Sequence, residues 1–314
     1  MRDSEGVSER SWERTLRAFD HARPTGVRLP RRHRRPSRPL ATAAEPSRPL
    51  AAAPNPGTIR GVLNVHYYGP EEGLPVLALH GVTGHGPRWL RLSEELPGIR
   101  LIAPDLRGHG RSTWEPPWGI EQHTSDALEV LDELGLDRVA VLGHSYGGLI
   151  ALHLARRACK RVSRLALLDP AIGQDPATSL TNAEDYREQP QYANPAAALA
   201  EKAADWGGIP LEAVQEEVEE HLIQIGPDSW TWRYCPSAAV TAWSEMARPA
   251  VTPPVGMHTL VVAAQRADFV KPAWLTACRA TLREKLIVAE VDSDHLVDLE
   301  RTREVAKLVS NFFG

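Results

Sequence analysis

The run Val139-Ala140-Val141-Leu142-Gly143-His144-Ser145-Tyr146-Gly147-Gly148 carries one serine between two glycines, with an apolar stretch before it and LIALHLARRA after it. Apolar run, Gly-x-Ser-x-Gly and helical run together read as a strand turning sharply into a helix, with the serine at the turn. Backbone passes very close to such a turn, and Gly143 and Gly147 leave room on either side of it. A serine presented this way can attack an electrophilic carbon. It needs a base, because a free hydroxyl is a weak nucleophile near neutral pH.

Four histidines follow Ser145. His153 lies two turns along the serine's own helix, His221 sits in the glutamate-rich stretch LEAVQEEVEEH, and His258 precedes a strand at its amino end. His295 alone follows a strand, LIVAEV, and so emerges at the carboxyl edge where Ser145 is expected; it is the candidate general base. An imidazole in that role is held in one tautomer by a carboxylate. Asp268 and Asp169 each follow a strand at the same edge, and either gives the order Ser, Asp, His. Asp268 is the expected partner and Asp169 the alternative, because Asp169-Pro170 would equally well cap its own strand. Asp292 and Asp294 stand too near His295 in sequence to face its ring.

Negative charge developing on a carbonyl oxygen requires donors already in place. The expected pair is the backbone N–H of Tyr146, at the start of the helix, and that of Val82 in the loop His80-Gly81-Val82-Thr83-Gly84.

The second polar run, Asp105-Leu106-Arg107-Gly108-His109-Gly110-Arg111-Ser112, lacks the third glycine of a dinucleotide loop. Its Asp105 and Arg107 are expected to hold the turn by hydrogen bonds. His80, His85 and His109 show no HxH or HExxH spacing, so neither metal nor cofactor is expected. Cys159, Cys235 and Cys278 are scattered without CxxC spacing. They suit a reducing compartment, and the cytoplasm is the expected location.

These groups need a scaffold that brings distant residues to one edge. Thr58 to Tyr68 reads as a hairpin or edge pair. Leu74 to His80, Arg100 to Ala103, Arg138 to Gly143, Val162 to Leu168, Thr259 to Ala264 and Leu286 to Val291 read as buried strands. Helical spacing fills 87–96, 120–134, 146–158, 270–283 and 296–312. Such alternation predicts an α/β fold, a mostly parallel sheet with helices on both faces and ligands at the carboxyl ends of the strands. It breaks between 171 and 255, read as a helical cap, where Trp230, Trp232 and Trp243 are candidates for lining a substrate pocket. The core is then 58–170 together with 256–314.

Residues 1–57 differ in composition. They hold twelve Arg and no Lys against six acidic residues, so this segment is +6 and the remainder −10 within a chain of net charge −4. Crowded with Pro, Ala and Arg, it is expected to be disordered, either a solvated extension or a start assigned too far upstream. An export signal would need an unbroken apolar run after the arginines, which LATAAEPSRPLAAA does not supply. No stretch approaches the roughly 18 apolar residues of a membrane span. The mildly acidic balance, with a pI near 6.3, argues against nucleic acid as a partner.

From about Thr58 to Gly314 the chain resembles the serine hydrolases of the α/β-hydrolase fold, on HGVTG at 80–84, DLRGHGRS at 105–112, GHSYGG at 143–148, LLDP at 167–170, Asp268 and His295. More narrowly, HGVTGHGPRW, APDLRGHGRSTWEPPW and WSEMARPAVTPPVG resemble small actinobacterial lipases and esterases of the mycobacterial LipV type. The resemblance implies Ser145 as nucleophile, His295 as base, Asp268 as acid, and Val82 and Tyr146 as oxyanion donors. It implies a cofactor-independent enzyme that acts on small-molecule carboxylic esters through an acyl-serine. Thioester, carbon–carbon bond and haloperoxidase chemistry share that fold, as does a non-catalytic receptor, and a tail-borne nucleic-acid role is the reading of another class. Members resembling this fold that open epoxides or displace halide carry a carboxylate where Ser145 stands. Two departures stand out: Asp294 replaces the usual glycine before the histidine, and AAQRAD lacks the glycine often found before the acid.

Overall fold

Alternation of buried side chains along the strands sorts the core onto two faces of one sheet. Strand β3 (Leu74–Leu79) sends Leu77 and Leu79 to one side and Val76 and Ala78 to the other; β5 (Val139–His144) sends Val139 and Val141 one way and Ala140 and Leu142 the other. The same period of two runs through β6 (Val162–Leu168) and β9 (Thr259–Ala264). A strand buried on both faces is apolar over most of its length, which is why these segments read as nearly continuous hydrophobic runs, with the half-buried Ser163 and Arg164 near the start of β6 as the interruption.

This computed structural model describes residues 57–59 and 63–314. The expected disordered tail therefore lies outside the described residues, apart from Gly57, which opens β1 (Gly57–Ile59). Among the described residues the sheet has eight strands in the order β1-β2-β4-β3-β5-β6-β9-β10, with β2 at Leu63–Tyr68, β4 at Ile99–Pro104 and β10 at Leu286–Val291. β2 runs antiparallel to both β1 and β4, and every later pairing is parallel. The chain steps from β3 outward to β4 and then back to β5 on the other side of β3. That reversal opens a crevice at the carboxyl ends of β3 and β5, where ligands bind in such sheets.

Helices cover both faces: α1 (Leu90–Glu94), α2 (Ile120–Glu133), α3 (Tyr146–Arg157) and, after the insertion, α8 (Pro272–Leu282), α9 (Val297–Glu300) and α10 (Thr302–Phe313). In α10 the buried Val305, Ala306, Val309, Phe312 and Phe313 form one stripe that joins Trp89, Leu92 and Leu96 of the first helical layer. α3 is buried nearly all round, so its first turn, and Ser145 ahead of it, is fixed by packing on every side.

Between β6 and β9 the chain inserts α4 (Pro176–Asp185), α5 (Pro195–Asp205), α6 (Leu211–His221), the hairpin β7 (Leu222–Gly226) and β8 (Ser229–Trp232), and α7 (Pro236–Met246). Asp175 and Asn194 accept the Thr178 and Ala197 N–H groups at 2.8 and 2.9 Å, each capping a helix that begins with proline. The hairpin departs from the helical character expected of this segment: LIQIGPDSWTW alternates about a Gly-Pro-Asp turn. The insertion has its own apolar cluster, including Tyr192, Ala198, Val218, Trp232 and Tyr234, against which Val82 of the main body packs.

Candidate active site

Ser145 stands between β5 and α3 with φ 54° and ψ −119°, a conformation that L-residues rarely adopt. Among the described residues four non-glycine positions have positive φ, and three of them, Thr83, Ser145 and Asp169, belong to this site. Each costs about 1–3 kcal/mol and persists only where the surroundings fix it. Around Ser145 the fixing is done by close backbone: a Cβ on Gly147 would lie 2.1 Å from the Leu79 carbonyl oxygen and 2.5 Å from that of His80. Neither atom can swing away. Gly147→Ala is accordingly expected to lower stability by about 3 kcal/mol, measured by denaturant unfolding, whereas Gly207→Ala, where nothing lies within 4 Å, leaves the midpoint nearly unchanged.

The Ser145 hydroxyl and His295 Nε2 are 2.8 Å apart, and His295 Nδ1 is 2.6 Å from Asp169 Oδ2. Asp169 is fully buried. Its N–H donates to the Val262 carbonyl at 2.7 Å and its Oδ1 accepts the Ala264 N–H at 3.0 Å, so β9 holds the carboxylate from behind. His144, between Gly143 and Ser145, donates Nε2–H to the His295 carbonyl at 2.9 Å. Burial pushes the His144 pKa down, keeping the ring neutral.

The expectation for Asp268 is corrected here. Its carboxylate is exposed and pairs with Lys271 Nζ at 2.9 Å. After β9 the chain keeps pairing beyond the strand end, Gln265 N–H to the Val291 carbonyl and Arg266 N–H to that of Ser293. Asp268 is thereby carried outward. The next residue, Phe269, is the one that reaches His295, stacking on its imidazole with ring centroids 3.7 Å apart and planes 18° apart. Sequence reasoning passed over Phe269, and its only signal was an aromatic residue in a loop at the active edge.

The loop after β3 closes the other side. A Cβ on Gly81 would sit 3.0 Å from Ser145 Cβ, so the Gly81-Val82 backbone runs directly beside the serine. The Gly81 carbonyl accepts from His80 Nδ1 at 2.8 Å and from the Gly84 N–H at 3.0 Å. His80 Nε2 accepts the Leu106 N–H at 2.9 Å, which leaves the ring proton on Nδ1. Burial, then neighbouring His109, keeps the His80 pKa well below its ordinary value. In a trans peptide N–H and C=O point opposite ways, so pinning the Gly81 carbonyl also aims the Val82 N–H. Tyr146 begins α3, where backbone N–H groups lack intrahelical partners.

The Asp105 run is a brace for this loop. Asp105 accepts from the Gly86 N–H at 2.7 Å, Asn64 Nδ2 at 2.9 Å and the Arg111 N–H at 2.9 Å. Burial opposes its charge, but His66 and these donors outweigh burial and hold its pKa below the carboxylate range. Arg107 makes a forked pair with Asp126, both contacts at 2.8 Å.

The three tryptophans separate. Trp230 exchanges backbone hydrogen bonds with Tyr192, and Trp232 donates to the Tyr192 hydroxyl at 3.0 Å beneath Lys202, so both belong to the insertion's own core. Trp243 packs 6.4 Å from Phe269 and 6.3 Å from Tyr186, and so connects with His295 through one ring.

Among the described residues one group gathers three metal-ligating side chains, the buried His85, Glu217 and His221. Its acceptors are already engaged. Arg88 donates to both Glu217 oxygens, at 2.6 and 2.9 Å, and His85 Nε2 lies 2.8 Å from the second. The guanidinium supplies the positive charge that a cation would bring, and the group acts as a lock between α6 and the loop after β3.

A profile of the alpha/beta hydrolase fold family matches residues 75–313. The chain is a member of the α/β hydrolase family. The hydrolase is 39% identical over 255 residues to Lipase LipV of Mycobacterium tuberculosis, spanning 80% of this chain and 98% of that lipase. A shorter stretch of 112 residues is 36% identical to the soluble epoxide hydrolase of a Corynebacterium species, covering 35% of this chain and 39% of that enzyme. Among solved structures, protein PA1622 of Pseudomonas aeruginosa PAO1 superimposes with a TM-score of 0.62 at 26% identity, over 80% of the hydrolase and 94% of that chain. E-2-(acetamidomethylene)succinate hydrolase, at 22% identity and a TM-score of 0.66 over 80% and 94% of the two chains, shares the fold. No helix among the described residues is long and apolar enough to cross a membrane.

Proposed function

We propose that this hydrolase cleaves small-molecule carboxylic esters through an acyl-serine intermediate. The observation that carries the reading is the hydrogen-bonded series from Ser145 Oγ through the two ring nitrogens of His295 to Asp169 Oδ2. His295 Nε2 takes the hydroxyl proton as Ser145 Oγ bonds to the carbonyl carbon, and Asp169 stabilises the resulting imidazolium. The carbonyl oxygen becomes an oxyanion facing the Val82 and Tyr146 N–H groups. Collapse of that adduct breaks the bond to the alkoxy oxygen, which takes the proton from His295 and departs as alcohol. Water then repeats the sequence: His295 removes its proton, the hydroxide oxygen bonds to the acyl carbon, and Ser145 leaves with the proton as the acid is released.

A serine rather than a carboxylate at the turn supports acyl transfer over the epoxide chemistry named for the Corynebacterium relative, and similarity to a lipase along nearly that protein's whole length supports an ester substrate. The insertion at 171–255 is read as a cap over this edge. Its exit from β8 is tied to the Asp105 run, Gly110 N–H to the Arg233 carbonyl at 2.9 Å and Cys235 N–H to the Gly108 carbonyl at 2.7 Å, and Ser145 is only 6% exposed.

The test is a rate comparison on p-nitrophenyl esters of graded acyl length and on the matching acyl thioesters. Turnover of esters with a kcat/KM at least equal to that for thioesters is expected. A tenfold preference for thioesters would move the assignment to that bond, and no turnover of either would overturn it.

A further inference from the structure

Resting on that reading, we infer that Glu217 of the insertion is a positioning residue for the oxyanion loop, acting through Arg88. The contacts form one line. Glu217 is buried on α6, and its two carboxylate oxygens take the Nη2 and Nε protons of Arg88 at 2.6 and 2.9 Å. The same Nη2 donates onward to the Thr83 carbonyl at 3.2 Å.

Thr83 follows Val82 and is held at φ 59°. It sits inside the turn that the Gly84 N–H closes onto the Gly81 carbonyl at 3.0 Å. A β-branched residue in that region reverts to ordinary backbone unless its neighbours hold it. Inside the turn the Gly84 N–H holds one end and Arg88 grips the carbonyl of the strained residue itself. Arg88 is in turn oriented by a carboxylate from the insertion. The second oxyanion donor is thus set partly by the insertion and not by the main body alone.

An adjacent pair offers an internal control. Arg91 makes a forked bond to Glu216, the residue before Glu217 on the same helix, at 2.6 and 2.9 Å. This pair fastens α6 to the same segment, but the hydrogen bonds of Arg91 go to Glu216 and none runs to the 81–84 turn. A residue that merely docks the insertion and one that shapes the oxyanion loop therefore predict different outcomes.

The experiment measures the second-order rate of fluorophosphonate labelling, in which a negatively charged oxygen develops on phosphorus at Ser145, together with kcat and KM on a p-nitrophenyl ester and the unfolding temperature. Glu217→Gln is expected to slow labelling and lower kcat by about 10- to 100-fold with KM changed little, part of the loss that follows removal of a whole donor. Arg88→Lys keeps a cation for Glu217 but loses the planar fork that also reaches Thr83. It should show the same loss in kcat with an unfolding temperature close to wild type, which keeps the test open if Glu217→Gln folds poorly. Glu216→Gln should leave both rates within about twofold, because its pair with Arg91 is only half-buried and touches no part of the oxyanion turn.

Equal losses in Glu216→Gln and Glu217→Gln, or wild-type rates in Arg88→Lys, would overturn the inference. Wild-type enzyme that labels but does not turn over esters would sink the ester assignment while leaving this inference standing. Absence of labelling would sink both.

Discussion

Ser145→Ala is expected to reduce ester hydrolysis on the order of 10⁶-fold, the scale on which removal of the nucleophile disables a triad that works as a unit. Fluorophosphonate should label the wild-type chain at this residue and leave the variant unmarked. The reason lies in the geometry. Among the hydrogen bonds of His295 Nε2, the one to the Ser145 hydroxyl at 2.8 Å is the path by which a proton leaves a nucleophile. The variant should fold: alanine occupies the same backbone, among the described residues Ser145 Oγ is hydrogen-bonded only to that imidazole nitrogen, and the turn is held by main-chain bonds that the substitution spares. These are Ser145 N–H to the Leu168 carbonyl at 3.0 Å, and Gly148 and Ala171 N–H to the Ser145 carbonyl at 3.0 and 3.2 Å. Thermal unfolding within a few degrees of wild type would show that lost activity is lost chemistry. Labelling that persists in Ser145→Ala would place the nucleophile elsewhere.

How much of this was legible in the sequence follows the range of the interaction concerned. The strands from 162 to 168 and 259 to 264 run as read, because a strand buried on both faces shows itself as a largely apolar run. Residues 286 to 291 form the expected strand but not a buried one: β10 is the last strand of the sheet, Ile287 is exposed and only Val291 is buried, so an apolar run does not by itself tell an edge strand from a central one. The meeting of Ser145 with His295 was legible too, since each leaves a parallel strand at its carboxyl end and a parallel sheet brings those ends to one edge. Which of two aspartates meets the imidazole was not. Both leave at the right edge, and the choice depends on where each chain stops pairing. Asp169 turns away from β6 at once, at φ 40°, whereas the chain after β9 stays hydrogen-bonded to the last residue of β10 and to Ser293 beyond it, and delivers Phe269 instead.

Glu217 was hidden for a different reason. In LEAVQEEVEEH its charge looks like one of a solvated row, and only docking of α6 against Arg88 and His85 buries it. No local pattern encodes that docking. The same holds for Trp230 and Trp232, whose composition suggested a pocket but whose neighbours make them the insertion's own core.

Exchanging Asp169 for asparagine separates the two carboxylates decisively. Asp169→Asn is expected to lower kcat about 10⁴-fold, because an amide that turns an N–H toward His295 Nδ1 favours the wrong tautomer and offers no charge to the imidazolium. Asp268→Asn is expected to change kcat by no more than about twofold. It removes one exposed ion pair with Lys271, and such pairs contribute little. Initial rates on a p-nitrophenyl ester, with unfolding temperatures for both variants, make the comparison. Asp169 Oδ1 also accepts the Ala264 N–H, a bond that the asparagine carbonyl retains only with its amide turned toward the histidine. The fold therefore selects the catalytically damaging orientation. A larger loss in Asp268→Asn than in Asp169→Asn would mean that the loop after β9 rearranges when substrate binds and brings the exposed carboxylate in.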